Sequence, residues 1–140
     1  AYYEQDLESR TFGVVVDTSG SMSAKQIGMA LGSIASYAAA KDVPFVRIIF
    51  CDAKATDAGY LAPEDIAGRV KVTGRGGTIL QPGVDCLEQA NDFPKDGPIL
   101  IITDGEIEND LKVRREHAFL LPRGNRLPFR ARGEVFYFRE

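Results

Sequence analysis

The chain has 140 residues and a mass of 15.3 kDa, the size of a single domain that can bury a core without disulfides or metal. Hydrophobic residues make up 44% of it and charged residues 26%, which excludes a disordered or fibrous chain. The longest aliphatic run is Ile99–Ile102, far shorter than the roughly 20 apolar residues of a membrane helix, so we expect no membrane association.

The amino terminus has neither the basic flank nor the apolar stretch of a secretion signal. It also lacks an initiator methionine, and we expect residues 1–140 to be one domain, the carboxyl-terminal fragment of a longer protein. Cys51 and Cys86 are too few for a disulfide framework, so we expect reduced cysteines in a cytoplasmic protein. One histidine and two separated cysteines also disfavour a zinc site.

The net charge of −3 is unevenly distributed. Residues 1–111 carry 9 basic and 17 acidic side chains, whereas residues 112–140 carry 8 basic and 3 acidic ones. Such a basic tail could meet nucleic acid or an acidic partner, or its arginines could pair with nearby carboxylates. We favour the pairing and expect no nucleic-acid partner, because the tail lacks the aromatic and basic interleaving of single-strand binding proteins.

The first half of the chain alternates apolar strands with amphipathic helices. In chain order, the patterns predict a strand at Phe12–Val16, a helix at Ala24–Lys41, a strand at Val43–Cys51, a weaker strand at Ala55–Leu61 and a short helix from Pro63. The two middle strands are close enough to form a hairpin through Asp52-Ala53-Lys54.

The second half follows a glycine-rich loop, Gly74–Thr78. It is predicted to contain a helix from Pro82 to about Ala90, a strand at Pro98–Thr103, a short polar helix within Glu106–Glu116, and strands at Ala118–Leu121 and Val135–Phe138. The alternation predicts an α/β fold with a doubly wound, mainly parallel sheet and helices on both faces. The last link shows no helical pattern, and parallel crossovers usually contain a helix, so we expect the final strand to be antiparallel or to pair elsewhere.

Polar residues cluster at three predicted turns. Asp17-Thr18-Ser19-Gly20-Ser21 follows the first strand, Thr78 ends the glycine-rich loop, and Asp104-Gly105 follows a buried strand. Ligands of open α/β sheets bind at the carboxyl ends of the strands. Carboxylates and hydroxyls without His or Cys form an all-oxygen donor set, which suits a hard cation such as Mg²⁺.

Simpler local roles are also open for these residues. Asp17 and Ser19 could cap the helix that starts near Ala24, and Asp104-Gly105 could be an ordinary turn. The acids that follow, Glu106, Glu108 and Asp110, could add metal ligands, but we favour a solvated helix start. Asp52 is interpreted as a hairpin turn residue, and His117 as a strand-boundary residue. Three motifs together at strand ends favour the metal interpretation.

Asp17-Thr18-Ser19-Gly20-Ser21, Thr78 and Thr103-Asp104-Gly105 resemble the metal-ion-dependent adhesion site of von Willebrand factor A (VWA) domains. The resemblance spans roughly Phe12 to Leu121. It implies that Ser19, Ser21 and Thr78 coordinate a divalent cation, most readily Mg²⁺ with Mn²⁺ or Ca²⁺ as alternatives. It also implies that Asp17 and Asp104 act largely through waters and hydroxyls, and that a partner's Asp or Glu completes the coordination.

The tail His117–Gly124, with Leu127-Pro128-Phe129 and Gly133–Phe136, most resembles the VWA-like domain at the carboxyl terminus of predicted bacterial metallopeptidases. That resemblance implies a peptidase-like region upstream and MoxR-type AAA+ ATPases as gene neighbours and candidate partners. The chain is short for a VWA domain, and its last helix is expected to be missing.

Two functional classes remain open at this stage. The first is a non-enzymatic adaptor that captures a partner carboxylate through the cation. The second is a phosphoryl-transfer hydrolase of haloacid-dehalogenase type, with Asp17 as nucleophile and Mg²⁺ held by Asp104 and Glu108. The hydrolase needs a second Asp two residues after the nucleophile, where this chain has Ser19. A VWA-like scaffold that binds no metal is a further alternative.

Overall fold

The computed structural model describes residues 11–19, 22–69 and 79–139. The strands are β1 (Gly13–Asp17), β2 (Val46–Cys51), β3 (Ala55–Leu61), β4 (Ile99–Ile102), β5 (His117–Pro122) and β6 (Glu134–Phe138). The helices are α1 (Ala24–Ala40), α2 (Pro63–Ile66) and α3 (Gln81–Gln89). All six strands form one sheet in the order β3-β2-β1-β4-β5-β6.

The sheet is mainly parallel, as predicted from the alternation of strands and helices. Strand β1 lies between β2 and β4 and is parallel to both, and β4 continues parallel to β5. Only the edge strand β3 is antiparallel, because the short turn after Cys51 folds it back on β2 as a hairpin. Asp52 forms that turn, since its carboxylate accepts hydrogen bonds from the N–H groups of Ala53 and Lys54.

Helices cover both faces of the sheet. On one face, α1 buries Ile27, Leu31 and Ile34 against the sheet, and α2 adds Ile66. On the other face, α3 buries Val84 and Leu87. A Cβ atom on Gly83 of α3 would approach the side chain of Val15 to 2.8 Å, so this glycine permits the close contact between α3 and β1.

The final strand contradicts the sequence prediction. Strand β6 pairs in parallel with β5 in the register Ala118↔Glu134 to Pro122↔Phe138. The crossover at 123–133 contains no helix. It is an irregular segment with a turn at 123–124 and bends at 128–129 and 132–133. It lies on the α3 face, where Leu127, Phe129 and Ala131 pack against the second core cluster. Apolar packing of this irregular segment therefore replaces the helix that a parallel crossover usually contains.

The polar helix predicted within 106–116 is also wrong, because this segment has no helical residues. Leu111 and Val113 pack at alternate positions against the second core cluster, a period that extended chain satisfies and a helix does not. Among the described residues, no helix follows β6 and none is both long and apolar enough to cross a membrane.

Candidate metal centre

Asp17 lies at the carboxyl end of β1, in the middle of the sheet, and is fully buried. Its Oδ1 accepts a hydrogen bond from the N–H of Ser19 at 2.9 Å. Its Oδ2 accepts one from the hydroxyl of Thr103 at 2.8 Å, the residue that directly follows β4. The carboxylate therefore joins the ends of two neighbouring parallel strands.

Asp104 is the second predicted carboxylate at this edge and is only 5% exposed. Its Oδ1 accepts a hydrogen bond from the N–H of Glu106 at 3.0 Å, and its carbonyl oxygen accepts one from the side-chain amide of Asn125 at 2.9 Å. The charge of Asp104 contributes to raising the pKa of Asp17, so the two carboxylates interact. The fold thus brings them to one edge of the sheet.

Burial is the main reason that the pKa of Asp17 lies above its ordinary value, and the neighbouring Asp104 adds to the effect. Hydrogen bonds from Ser19 and Thr103 offset part of the rise by stabilising the charged form. A positive charge nearby would favour the ionised carboxylate. The electrostatics and the oxygen donors of this edge therefore fit a hard dication.

The five predicted ligands are only partly covered by the structure. Ser19 is buried beside Asp17, whereas Ser21 and Thr78 lie outside the described residues. Their neighbours are anchored at this edge. The N–H of Met22 donates to the carbonyl of Ser19 at 3.2 Å, and the N–H of Ile79 donates to the carbonyl of Asp52, just after β2, at 3.1 Å. Convergence of all five ligands stays a prediction.

The simpler role considered for Asp17 and Ser19 is wrong. Helix α1 is capped by Ser23, whose hydroxyl accepts the N–H of Gln26 while the Gln26 side chain accepts the N–H of Ser23. This reciprocal arrangement leaves Asp17 and Ser19 with no capping role for α1. A helix-cap explanation for the first polar turn is thereby removed.

Glu108 does not lie at the start of a helix, contrary to the prediction. Its carboxylate accepts the N–H groups of Leu80 and Gln81 at 2.9–3.0 Å, at the amino-terminal end of α3. Negative charge is favourable there. This capping role accounts for Glu108 and weakens the hydrolase alternative, which needs the same carboxylate to hold Mg²⁺.

Three residues position the site in ways that the sequence did not predict, although Thr103 and Gly105 belong to the motif. Thr103 donates to Asp17 and also accepts the N–H of Gly105 at 3.1 Å, and Asn125 holds the backbone of Asp104. Gly105 has φ +93°, and a Cβ there would come within 1.9 Å of the Arg126 carbonyl oxygen. A polar residue before a strand-terminal Asp could have indicated Thr103. Asn125 is remote in sequence, and no local pattern marks it.

The remaining His, Cys, Asp and Glu side chains do not extend the site. In residues 11–19, 22–69 and 79–139, no three such side chains form a group that could hold a metal. A cation at this edge would therefore depend on hydroxyls and water in addition to Asp17 and Asp104. His117 begins β5, as expected of a boundary residue, and its Nδ1 lies 2.8 Å from the Arg115 carbonyl oxygen.

A family model described as "VWA-like domain (DUF2201)" matches residues 12–115, which include β1, α1, the hairpin, α3 and β4. No curated protein matches the chain.

Proposed function

This chain belongs to the VWA-like domain family DUF2201, and we propose that it is a protein-binding adaptor that captures a partner carboxylate through a divalent cation. The observation that carries the proposal is the pair Asp17 and Asp104, buried at the ends of the neighbouring strands β1 and β4. A dication offsets the burial cost of two negative charges at such a site.

In this proposal, Ser19, Ser21 and Thr78 coordinate the cation directly. Asp17 and Asp104 act largely through waters and hydroxyls. Mg²⁺ is the expected ion, because it prefers oxygen ligands and keeps several waters, and Mn²⁺ or Ca²⁺ are the alternatives. The cation supplies an electrophilic position that a partner's Asp or Glu occupies, and the domain carries out no turnover of its own.

Thr103 and Asn125 serve as positioning residues in this arrangement. The hydroxyl of Thr103 fixes one oxygen of Asp17, and the amide of Asn125 fixes the backbone of Asp104. A neutral donor thus orients the carboxylate of Asp17, and another holds the main chain that carries Asp104. The partner class that the sequence resemblance implies is a complex containing a MoxR-type AAA+ ATPase.

The first test is calorimetric titration of the metal-free domain with Mg²⁺ and with Mn²⁺, in the wild type and in Asp17→Asn and Asp104→Asn. We expect binding to the wild type and at least a tenfold loss of affinity in each variant, because each removes a charge from the site. Asp52→Asn is the matched control, since Asp52 ends the adjacent strand as a turn residue, and it should bind as the wild type does.

Circular dichroism should show that all three variants are folded. If the wild type binds neither ion, the metal centre is refuted and the metal-free scaffold is the better description. Equal weakening by Asp52→Asn would show that the affinity comes from diffuse negative charge rather than from this site.

The second test concerns the partner carboxylate. Acetate should displace a metal-bound water from the Mn²⁺-loaded domain and lower the paramagnetic enhancement of water-proton relaxation. Acetamide, which has the same shape without the charge, is the control. If acetate and acetamide behave alike, carboxylate capture is refuted even where metal binding holds.

A further inference from the structure

The connection from β4 to β5 contains an extended segment with alternating character. Leu111 and Val113 are half-buried against the sheet, and Lys112 and Arg114 are exposed. Alternate side chains of an extended chain project to the same side, about 7 Å apart. The segment therefore presents two cations on its outer side at a strand-like spacing.

The connection from β5 to β6 repeats this pattern. Phe129 and Ala131 are half-buried on the same face of the sheet, and Arg130 and Arg132 are exposed. Two segments that are distant in sequence thus carry the same arrangement, with apolar side chains inward and cations outward.

A cleft of about 430 Å³ lies between the two segments. Its walls carry Lys112, Arg114, Arg130 and Arg132, and it is lined as well by the aromatic side chains of His117, Phe119 and Phe129. We call this site the basic cleft. Its volume lies within the range of ligand-binding pockets, and it lies on the α3 face rather than at the strand ends that carry Asp17 and Asp104.

The four cations of the basic cleft are available for a ligand. Both ion pairs found in residues 11–19, 22–69 and 79–139 belong to Arg47, so the expected pairing of the tail's arginines with nearby carboxylates is not found there. Asp110 is the one carboxylate that lines the basic cleft. The balance of charge in the basic cleft is therefore strongly positive.

We propose that the basic cleft binds an extended acidic segment of a partner protein, with carboxylates at every second residue and small apolar residues between them. Carboxylates at alternate positions of an extended peptide lie at the same ~7 Å spacing as Lys112 and Arg114 of the first wall. The small apolar side chains between them would meet Phe129, which is half-buried in the basic cleft. A peptide of this pattern therefore complements the charge of the basic cleft and the spacing of its first wall.

A single-stranded nucleic acid is the competing polyanion, and the packing of the aromatic rings disfavours it. The rings that line the basic cleft already pack edge to face, His117 on Phe119 at 5.5 Å and Phe119 on Phe129 at 5.7 Å, and Phe119 is only 1% exposed, which leaves little ring surface for base stacking.

The test measures fluorescence anisotropy of a labelled octapeptide of alternating Glu and Val, added to the 140-residue chain in EDTA so that no cation is bound. We expect binding that weakens with salt. The double variant R130Q/R132Q should weaken it about tenfold, the range expected for two partly exposed ion pairs. R123Q/R126Q is the matched control, because it removes the same charge from exposed positions of the same crossover outside the basic cleft.

The proposal is supported if R130Q/R132Q weakens binding and R123Q/R126Q leaves it within about twofold. It is overturned if the wild type binds no peptide, if both double variants weaken binding equally, or if a peptide with the same residues in two blocks binds as well as the alternating one. Tighter binding of octathymidylate than of the alternating peptide would overturn it in favour of nucleic acid. Because EDTA is present throughout, these outcomes are independent of the metal-dependent capture.

Discussion

Two regions of this domain bury ionisable side chains, and they do so in opposite ways. At the start of β2, the buried guanidinium of Arg47 forms ion pairs with Asp57 and Asp92 and lies 4.9 Å from the ring centre of Tyr60. At the end of β1, the buried carboxylate of Asp17 accepts hydrogen bonds from neutral groups and lies near a second carboxylate.

The directions of the pKa shifts separate the two regions. Hydrogen bonding to Asp57 raises the pKa of Arg47, and the same contact lowers the pKa of Asp57, so the charged forms are favoured. Burial raises the pKa of Asp17, so its charged form is disfavoured. A buried charge with ion-pair partners keeps its charged form within the fold, and removing one partner is costly. A buried group whose charged form is disfavoured is suited to an external cation.

The largest effect is expected where a charge is buried with no compensation at all. Ile101 is fully buried in β4, and Ile101→Asp should cost about 5 kcal/mol or more, close to the total stability of a small domain. We expect an unfolded protein by circular dichroism. Ile101→Val should remain folded and lose only about 0.5–1.5 kcal/mol. A folded Ile101→Asp would show that this end of the sheet admits water.

Substitutions around Arg47, whose buried charge has ion-pair partners, should lower the free energy of unfolding by less. Asp57→Asn removes the charged partner of Arg47 on β3 and should lower the free energy of unfolding in urea by about 1.5–3 kcal/mol. Asp92→Asn should cost less than about 1 kcal/mol, because the side chain of Asp92 is 69% exposed. If both variants lose the same free energy of unfolding, the bidentate contact between Arg47 and Asp57 stabilises the fold no more than the exposed contact to Asp92.

The pH dependence of stability should have opposite signs in the two regions. The folded protein releases the proton of Asp57 below the ordinary pKa of 3.8, so this carboxylate's contribution is present above that value and is lost as the pH falls through its lowered pKa. Folded, metal-free protein holds the proton of Asp17 to a pH above 3.8, so stability declines as the pH rises from 3.8 through that raised pKa.

Urea unfolding between pH 3 and 7 in EDTA measures how the free energy of unfolding changes with pH, and so tests both contributions. Asp17→Asn should remove the decline of the free energy of unfolding with rising pH. Asp57→Asn should remove the increase in that free energy with rising pH. If Asp17→Asn leaves the slope unchanged, the burial of Asp17 carries no cost that a cation would offset. Added Mg²⁺ should stabilise the wild type near pH 7 and leave Asp17→Asn unaffected.

The smallest effect concerns a thiol that lies between the two regions. Cys51 is paired with Asp17 in the β-sheet register, and burial raises its pKa to about 11. Iodoacetamide at pH 8 should therefore modify Cys86, which is only partly buried, well before Cys51. Mass spectrometry of tryptic peptides would resolve the order. Faster modification of Cys51 would indicate that this edge opens.

Much of the fold was predictable because its signals are local. Apolar runs marked β1, β2 and β4, and Pro63 and Pro82 marked the starts of α2 and α3. The hairpin turn at Asp52 was predicted for the same reason, since its side chain bonds to its own neighbours. Among the predicted ligands, Asp17 and Asp104 were found from their position after buried strands, and the structure places both at one edge.

Two of the wrong predictions involve partners that are distant along the chain. The acids after Asp104 have the composition of a helix start, but Glu108 instead caps α3, twenty-seven residues or more away along the chain. The segment 123–133 has no helical pattern, yet it makes a parallel crossover because its apolar residues pack on the sheet. Nor does any local pattern reveal that Asn125 holds the backbone of Asp104.

The sequence by itself determined the α/β class, the strand ends that carry Asp17 and Asp104, and the all-oxygen chemistry of that edge. These follow from hydrophobic periodicity and from residue types, which are properties of short stretches of chain. Only the tertiary structure decided the parallel direction of β6, the capping role of Glu108 and the convergence of two basic segments around one cleft. These three features depend on which segments, distant along the chain, pack against one another. That packing is decided by the fold as a whole and leaves no signal in a short stretch of sequence.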